Sequence, residues 1–340
     1  MREGKKHTGG HAVALYSGGL DSALAILLVL RQNMKVTALT FSHDFSCVDN
    51  NRSNPGVDPV EVGKKYGFDV IPLKLGSEFV EIVKRPRHGY GKNLNPCVDC
   101  RILMLKKARE YMEKLDADFI ITGEVIGQRP KSQMRNSINL VDKQTGLKGL
   151  LVRPLSALLM DETIPEQKGL LDRSKLEAIS GRSRKRQLEL AGKLGLEDFG
   201  APAGGCLLTD PNYCRRLKDI WEHNEKPEIH EISLLRFGRH FRLDEKTKVV
   251  VGRDESDNDN IEKYSGPNCL KLEALGTGSP ITLLMGDRKD ENVKIAASLT
   301  ARYCDSRKDK EVIVTCTDGA DKNKSNQIVV EPRDFKEFLI

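Results

Sequence analysis

The chain has 340 residues, which favours about two domains, and its formal net charge of +6 permits a polyanionic partner without requiring one. Hydrophobic residues make up 39% of it and charged residues 31%, a balance that argues against disorder and is typical of a soluble protein with a core. No apolar run reaches the ~18 residues that cross a bilayer, and the charged N-terminus resembles no secretion signal, so we expect a cytoplasmic protein without a membrane partner.

The first half of the chain alternates strand-like and helix-like patterns, as a parallel α/β domain does. Ligands of open parallel sheets gather at the carboxyl ends of strands, so the loops after Tyr16, Phe41 and Thr122 are the expected site. In chain order the patterns predict a strand at 12–16, a helix at 23–30, a strand at 35–41, a helix at 60–66, a strand at 69–73, a helix at 100–115, and strands at 118–123 and 150–155.

Residues 17–22 read Ser-Gly-Gly-Leu-Asp-Ser and join the first strand to the first helix. In a strand, glycine turn and helix N-terminus of this kind, backbone N–H groups and the helix dipole face an anion. Gly18 and Gly19 let the main chain approach phosphate oxygens, and Ser17 and Ser22 add hydroxyl groups. No Walker lysine follows, which excludes the P-loop of kinases and GTPases. Asp21 suits a Mg²⁺ ion that bridges phosphates, so we predict ATP and Mg²⁺ as ligands.

The Ser-Gly-Gly-x-Asp-Ser pattern resembles that of the PP-loop ATP pyrophosphatases. These enzymes split ATP between the α- and β-phosphates and place AMP on an oxygen of the substrate. The resemblance implies an α/β fold with a parallel-sheet PP-loop domain, of the adenine nucleotide alpha hydrolase type, and an adenylation reaction.

Eight cysteines in a protein expected to be cytosolic favour metal sites, sulfur chemistry or buried thiols over disulfides. Cys97 and Cys100 stand three apart at a turn that leads into a helix, so both sulfurs can face one metal. Cys206 follows Gly204 and Gly205, which indicate a close backbone approach. Three cysteines suit a 4Fe-4S iron–sulfur cluster with one open iron. The alternatives are a persulfide or disulfide pair, a structural zinc with Cys214 as fourth ligand, and plain buried thiols.

A second resemblance is more specific. Residues 122–133, TGEVIGQRPKSQ, are similar to the strand-end segment of tRNA 4-thiouridine synthases, and residues 153–155 and 161–164 are similar to the segment that follows it. The PP-loop, the CxxC pair and a later lone cysteine resemble the iron–sulfur type of tRNA thiolation enzymes, including forms of the 2-thiouridylases. This likeness covers roughly residues 10–220.

The second resemblance assigns roles to particular residues. It implies cluster ligation by Cys97, Cys100 and Cys206, and an ATP site at Ser17–Ser22. The strand-end residues Gly123 and Glu124 are candidates for the same ATP site, with a plain polar turn residue as the alternative for Glu124. The residues expected to be catalytic are Asp21, Cys100 and Cys206.

Two basic stretches flank the cysteines in sequence. Such cations could bind RNA phosphates with a salt-dependent affinity, although a solvated helix face has the same composition. Their position on both sides of the cysteines favours tRNA as a partner. The upstream stretch contains Arg85, Arg87, His88 and Lys92, and the downstream cluster contains Arg182, Arg184, Lys185 and Arg186.

From about residue 225 the composition shifts to short strands and polar turns. Residues 249–260, VVVGRDESDNDN, resemble the glycine–arginine–asparagine signature of NFACT-R domains, and residues 295–304 and 311–315 fit the later part of that domain. The resemblance implies a smaller α+β RNA-associated module, although a small α+β domain with another role is the alternative. We predict a PP-loop domain at 10–165, a helical extension at 166–224 and this module at 225–340.

Together these observations predict an ATP-dependent tRNA sulfurtransferase that thiolates a uridine through an adenylated base. The sulfur donor would be sulfide or a persulfide carrier. Two rival interpretations are a PP-loop ligase that delivers ammonia and an RNA-binding accessory factor with a non-catalytic ATP site. The sequence leaves open the modified nucleotide, the donor and the oligomeric state.

Overall fold

The computed structural model describes residues 9–46, 58–200, 206–321 and 323–340. The chain forms two compact units that divide between Thr209 and Asp210. Gly204 and Gly205, singled out beside Cys206, lie outside the described residues. Within the described ranges, no helix combines the length and the apolar character needed to cross a membrane.

The first unit is built on a five-stranded parallel sheet. Its strands are β1 (His11–Leu15), β2 (Lys35–Ser42), β3 (Asp69–Lys74), β4 (Phe119–Thr122) and β5 (Leu151–Val152). They lie in the order β3-β2-β1-β4-β5. The helices are α1 (Leu20–Leu30), α2 (Pro59–Tyr66), α3 (Ser77–Lys84), α4 (Cys97–Lys114), α5 (Arg135–Thr145), α6 (Ile164–Gln167) and α7 (Lys185–Leu194). The predicted parallel α/β fold of this part is confirmed.

The central strand β1 is apolar throughout its buried part because both faces of the sheet are covered. Ala12 and Ala14 pack into a core shared with α1 and α7. Val13 and Leu15 point to the opposite face and pack into a core shared with α4 and α5. The continuous apolar run of β1 therefore supplies both faces of the sheet in alternation, and each face is covered by its own layer of helices.

The strand order creates a crevice between β1 and β4. From β1 the chain runs outward to β2 and β3 on one side, and later to β4 and β5 on the other. Open α/β sheets bind ligands at the carboxyl end of such a switch point. Leu15 pairs in register with Thr122, so the two strands end level with each other. The loops at 16–19 and 123–128 consequently start side by side.

Residues 166–209 belong to the compact first unit. Between α6 and α7 the chain forms one 3-10 helix, Arg173–Lys175, and otherwise follows an irregular path. A second 3-10 helix, Leu207–Thr209, closes the unit. The assignment of 166–224 as a separate extension stays a prediction.

The second unit is an antiparallel sheet with helices, as the predicted α+β class requires. Its helices are α8 (Pro211–His223), α9 (Ile229–Leu234), α10 (Glu255–Glu262) and α11 (Asp290–Tyr303). Its strands are β6 (Arg239–Arg242), β7 (Lys248–Val251), β8 (Cys269–Ala274), β9 (Thr282–Met285), β10 (Val312–Asp318) and β11 (Ser325–Val330). They lie in the order β11-β10-β8-β9-β7-β6, and the apolar face of α11 packs on the sheet.

Candidate active site

The loop between β1 and α1 is braced by its own serines. Ser22 Oγ donates a hydrogen bond to the Gly19 carbonyl over 2.9 Å, and the Ser17 N–H donates to Ser22 Oγ over 3.2 Å. Gly18 has a φ of +72°, a left-handed conformation that favours glycine. Gly19 precedes the first turn of α1 and supplies no side-chain cap. The N–H groups of that turn remain available to an anion, which is the arrangement that binds phosphate.

Asp21, in the first turn of α1, has two carboxylate oxygens in different surroundings. Oδ2 accepts a hydrogen bond from Gln128 Nε2 over 3.1 Å. Oδ1 is buried and meets no hydrogen-bond donor in the part of the chain that the structure describes. A buried carboxylate oxygen without a donor fits a hard cation, because Mg²⁺ takes one or two carboxylates together with phosphate oxygens. Asp21 therefore fits the Mg²⁺ ion predicted from the sequence.

The loop after β4 meets the start of α1 backbone to backbone. A Cβ on Gly123 would lie 2.4 Å from the Ser22 nitrogen and 2.5 Å from the Asp21 carbonyl carbon. Only a residue without a side chain permits this approach. Gly123 therefore controls how closely the two loops of the crevice can come together.

Glu124 lies in a buried network of charges. Its Oε1 is 3.2 Å from Arg101 Nε, and its Oε2 accepts hydrogen bonds from Arg153 Nε over 3.0 Å and from Thr122 Oγ1 over 3.2 Å. Burial alone would raise the pKa of Glu124, but the two guanidinium groups outweigh it, and the pKa lies below its ordinary value of 4.5. Arg153 also donates to both oxygens of Asp142. Protein donors thus engage both carboxylate oxygens of Glu124.

The CxxC pair forms the first turn of α4, which begins at Cys97, three residues earlier than the sequence pattern predicts. The two thiols interact electrostatically, and burial raises the pKa of Cys100 to about 12. Burial also raises the pKa of Cys97, but the nearby cations Lys131, Arg129 and Arg101 offset part of this effect. The two thiols share one site. Burial desolvates Cys100 more strongly than Cys97, and Lys131, Arg129 and Arg101 interact electrostatically with Cys97.

Cys206 is held by two segments that lie close to it. It forms an isolated antiparallel bridge with Ser46, just beyond β2. The Leu208 carbonyl accepts a hydrogen bond over 3.1 Å from the N–H of Leu94, three residues before Cys97. These contacts place Cys206 beside the segment that leads into the CxxC turn.

The described cysteines form no disulfide, and no group of three or more His, Cys, Asp or Glu among the described residues is arranged to hold a metal ion. The three thiols nevertheless match in type the donors of an iron–sulfur cluster or zinc. Cys214, the possible fourth zinc ligand, is buried in the second unit. Cluster, zinc and persulfide each stay a prediction.

The basic cluster lies at the start of α7. Arg186 is already paired, because its Nε and Nη2 donate to the Glu177 carboxylate over 3.1 and 3.0 Å. Just before the cluster, Ser180 bridges Ile126, which ties this segment to the loop after β4. The cations that form no ion pair or side-chain hydrogen bond with the described residues are Arg182, Arg184 and Lys185.

In the basic stretch before the CxxC pair, His88 has side-chain partners among the described residues. His88 Nδ1 lies 2.8 Å from Asp99 Oδ1, and its backbone N–H donates to Asp99 Oδ2 over 3.0 Å. Its Nε2 lies 3.2 Å from the amide nitrogen of Gln144. These contacts fix the loop that precedes α4. Arg85, Arg87 and Lys92 in the same stretch are solvent-exposed.

Three polar residues of the crevice were not singled out from the sequence. Gln128 binds Asp21, Arg101 binds Glu124, and Arg129 interacts electrostatically with both Asp21 and Cys97. Arg101 directly follows Cys100, and the other two stand inside the segment that resembles 4-thiouridine synthases. In the sequence, the only sign that these three residues belong to the site was their position next to a motif.

Comparison with known proteins separates the two parts of the chain. Residues 7–168 match the family described as thiamine biosynthesis protein (ThiI). Residues 238–338 match the family described as NFACT protein RNA binding domain.

Curated relatives match the first part. The chain is 29% identical over 161 residues to a probable tRNA sulfurtransferase of Macrococcus caseolyticus, which covers 47% of this chain and 38% of the relative. It is 30% identical over 128 residues to the tRNA-specific 2-thiouridylase MnmA of Syntrophotalea carbinolica, and this alignment covers 35% of this chain and 35% of the relative. The chain spans about a third to two fifths of the length of these relatives.

A solved 4-thiouridine synthetase–RNA complex with bound ATP aligns with 55% of this chain and 52% of its own, at 19% identity and a TM-score of 0.34. The two family matches confirm the PP-loop and NFACT-R resemblances drawn from the sequence, and the iron–sulfur type stays a prediction. The two likenesses lie in different parts of the chain, to the ThiI family at residues 7–168 and to the NFACT RNA-binding family at residues 238–338.

Proposed function

We propose that this chain is an ATP-dependent tRNA sulfurtransferase that replaces a uridine carbonyl oxygen with sulfur. One observation carries the proposal: a single loop, residues 123–131, contacts both the loop between β1 and α1 and the CxxC turn. Its Gln128 amide binds Asp21 of residues 17–22, which we call the nucleotide loop, and Lys131 lies beside Cys97 of the CxxC turn. Activation and sulfur delivery can therefore occur at neighbouring positions.

The first half-reaction uses the nucleotide loop. The N–H groups at the start of α1 would bind the β- and γ-phosphates, and Asp21 would hold a Mg²⁺ ion that offsets their charge. A uracil carbonyl oxygen attacks the α-phosphorus. The bond between that phosphorus and the bridging oxygen breaks, and pyrophosphate leaves with the electron pair. The product is a base that carries AMP on its oxygen.

In the second half-reaction sulfur displaces AMP. Hydrosulfide attacks the activated carbon, the carbon–oxygen bond breaks, AMP departs with that oxygen, and the sulfur loses its proton. No net oxidation or reduction is involved. With a persulfide on Cys100 or Cys206 instead, the terminal sulfur attacks the base. A second thiol then releases the thiolated base and leaves a protein disulfide, which a dithiol must reduce.

A thiolate-bound cofactor fits the three cysteines by donor type. Cys97, Cys100 and Cys206 would hold a 4Fe-4S cluster, which supplies an open iron that can bind sulfide. Zinc is the alternative group for the same thiols. The cations beside Cys97 would partly neutralise the negative charge of such a group.

The proposed RNA substrate has two candidate contact surfaces. The exposed cations Arg182 and Lys185 and the half-buried Arg184 would bind tRNA phosphates near the crevice. The second unit would bind RNA as well, in keeping with the description of the family that it matches. A tRNA substrate would place the reaction in the cytoplasm.

The test is single-turnover thiolation of an unmodified tRNA transcript by the purified full-length protein with ATP, Mg²⁺ and sulfide. We expect one AMP and one pyrophosphate for each thionucleoside formed. Asp21→Asn should reduce adenylation at least about a hundredfold, because it loses the negative charge that binds Mg²⁺. Asp172→Asn, a change at a half-exposed carboxylate outside the crevice, should leave the rate unchanged.

Two results would contradict the proposed function. Incorporation of ammonia in place of sulfur would make the chain a ligase. Full activity of Asp21→Asn would remove the nucleotide loop from the reaction, as in an accessory factor that only binds RNA.

A further inference from the structure

We propose that Arg129 binds the phosphate of AMP through both half-reactions, first as the α-phosphate of ATP and then as the leaving group that sulfur displaces. This inference rests on the proposed function. It assigns a catalytic role to a residue outside the nucleotide loop and the cysteine set.

The backbone of Arg129 is held in place before any ligand binds. Its N–H donates to Gln133 Oε1 over 3.1 Å, and its carbonyl accepts from the Gln133 N–H over 3.2 Å. The Gln133 carbonyl accepts from the N–H of Gly127 over 2.8 Å. Gln133 is 4% exposed. A buried glutamine therefore ties the base of this loop together, so the position from which the Arg129 side chain extends is fixed.

The Arg129 guanidinium is a candidate anion-binding group. It interacts electrostatically with Asp21 and Cys97, and desolvation together with the nearby Arg101 lowers its pKa. Arg101 is engaged by Glu124, whereas the guanidinium of Arg129 forms no ion pair or hydrogen bond with any residue that the structure describes. Although its guanidinium is partly desolvated, the Arg129 residue retains enough exposure to solvent for a ligand to reach it. An anion placed between two neighbouring arginines relieves their repulsion.

The identity of this anion follows from the order of groups along the crevice. The β- and γ-phosphates belong at the N-terminus of α1, where N–H groups are uncapped. Arg129 interacts with Asp21 at that end and with Cys97 at the other. The phosphate that lies between the departing pyrophosphate and the reacting base is the α-phosphate. A guanidinium offers paired donors to two oxygens of such a group.

The same contact is useful in both steps. When pyrophosphate leaves, the α-phosphorus stays in place and becomes bonded to the base oxygen. When hydrosulfide attacks the base carbon, the carbon–oxygen bond breaks and a further negative charge develops on AMP. A fixed guanidinium on this phosphate stabilises that charge as it forms.

The first test measures binding by calorimetry with the full-length protein, AMP and adenosine. Arg129→Gln should weaken AMP about tenfold or more, because a charge-assisted contact is lost, while adenosine affinity should change less than about twofold. Arg129→Lys should recover part of the AMP affinity. Arg109→Gln, which removes an exposed arginine of α4 paired with Glu113, should bind both ligands as the unsubstituted protein does.

Equal AMP affinity in Arg129→Gln would overturn the inference and leave the proposed function standing. An equal loss for AMP and adenosine would also overturn it, since that result indicates a purely structural role. If the unsubstituted protein bound neither AMP nor ATP, the proposed function itself would fail.

A second test separates the half-reactions in a single turnover with labelled ATP and tRNA. Arg129→Gln should slow both the appearance of adenylated tRNA and its consumption by sulfide. Slowing of the first step alone would assign Arg129 to the departing pyrophosphate and overturn the inference.

Discussion

Two carboxylates at the carboxyl edge of the first sheet have opposite surroundings. Glu124 is enclosed by Arg101 and Arg153, while one buried oxygen of Asp21 meets no donor among the residues that the structure describes. Residue type alone does not distinguish them. The number of cations near each carboxylate distinguishes them. A carboxylate enclosed by guanidinium groups stabilises the fold, whereas a carboxylate with an unengaged oxygen is available to a ligand.

We expect Glu124→Gln to lower the free energy of unfolding at neutral pH by about 3 kcal/mol, because the buried Arg153 and the partly buried Arg101 each lose an anionic partner. The folded-state pKa of Glu124 lies below its ordinary value of 4.5, so its contribution is present above that pH and is lost as the pH falls through the folded pKa. Urea unfolding at pH 7 and about pH 3.5 should show the difference shrinking in acid. Glu113→Gln, at an exposed pair, should cost less than about 0.5 kcal/mol.

At the scale of elements, the contact between the β4 loop and α1 sets the shape of the crevice. We expect Gly123→Ala to destabilise the fold by about 2 kcal/mol and to weaken ATP binding at least tenfold, because its Cβ would displace the backbone of Ser22. Gly192→Ala is the matched control within α7, where an added Cβ meets nothing within 4 Å. That substitution should stabilise the helix by up to about 1 kcal/mol. Thermal unfolding and ATP titration distinguish the two.

In the second unit, strand β10 alternates between a buried and an exposed face. Val314 is fully buried, whereas the next residue toward the N-terminus, Ile313, is 43% exposed. Val314→Ala should cost about 2 kcal/mol in chemical unfolding, because it leaves a cavity. Ile313→Ala should change stability by less than about 0.5 kcal/mol. Equal losses would mean that the register of this strand is wrong.

The elements of the first unit were largely predictable from the sequence, because buried parallel strands are continuous apolar runs with glycine turns after them. The start of α4 was missed by three residues, since Cys97, Val98 and Asp99 carry no apolar helical period. The roles of Arg101 and Arg129 were not predictable. Their meaning depends on Glu124 and Asp21, which only the folded sheet brings near them.

At the scale of the whole molecule, the modest net charge of +6 means that the proposed affinity for RNA would have to come from local clusters of cations. We expect the triple change of Arg182, Arg184 and Lys185 to glutamine to weaken tRNA binding. The slope of log affinity against log salt should become less steep by up to about 3, since each phosphate contact contributes about one. Filter binding from about 50 to 300 mM salt measures this.

Arg186→Gln is the internal control for that measurement. Its guanidinium is already engaged by Glu177, so its loss should change the slope by less than about 0.5. A slope that is unchanged in the triple variant would make the cluster a solvated helix face and leave RNA binding to other surfaces.

The two glycines of the nucleotide loop are not interchangeable. Gly18 has a left-handed φ of +72°, so alanine there strains the folded chain whether or not ATP is present. Gly19 has a φ of −90° and a ψ of 161°, which any residue adopts, and an added Cβ would meet only Ser17 Oγ at 3.4 Å. Alanine at Gly19 should leave the melting temperature unchanged and obstruct only the incoming phosphate. Gly18 is therefore required by the backbone conformation of the folded chain, whereas Gly19 is required only by the space that a bound phosphate needs.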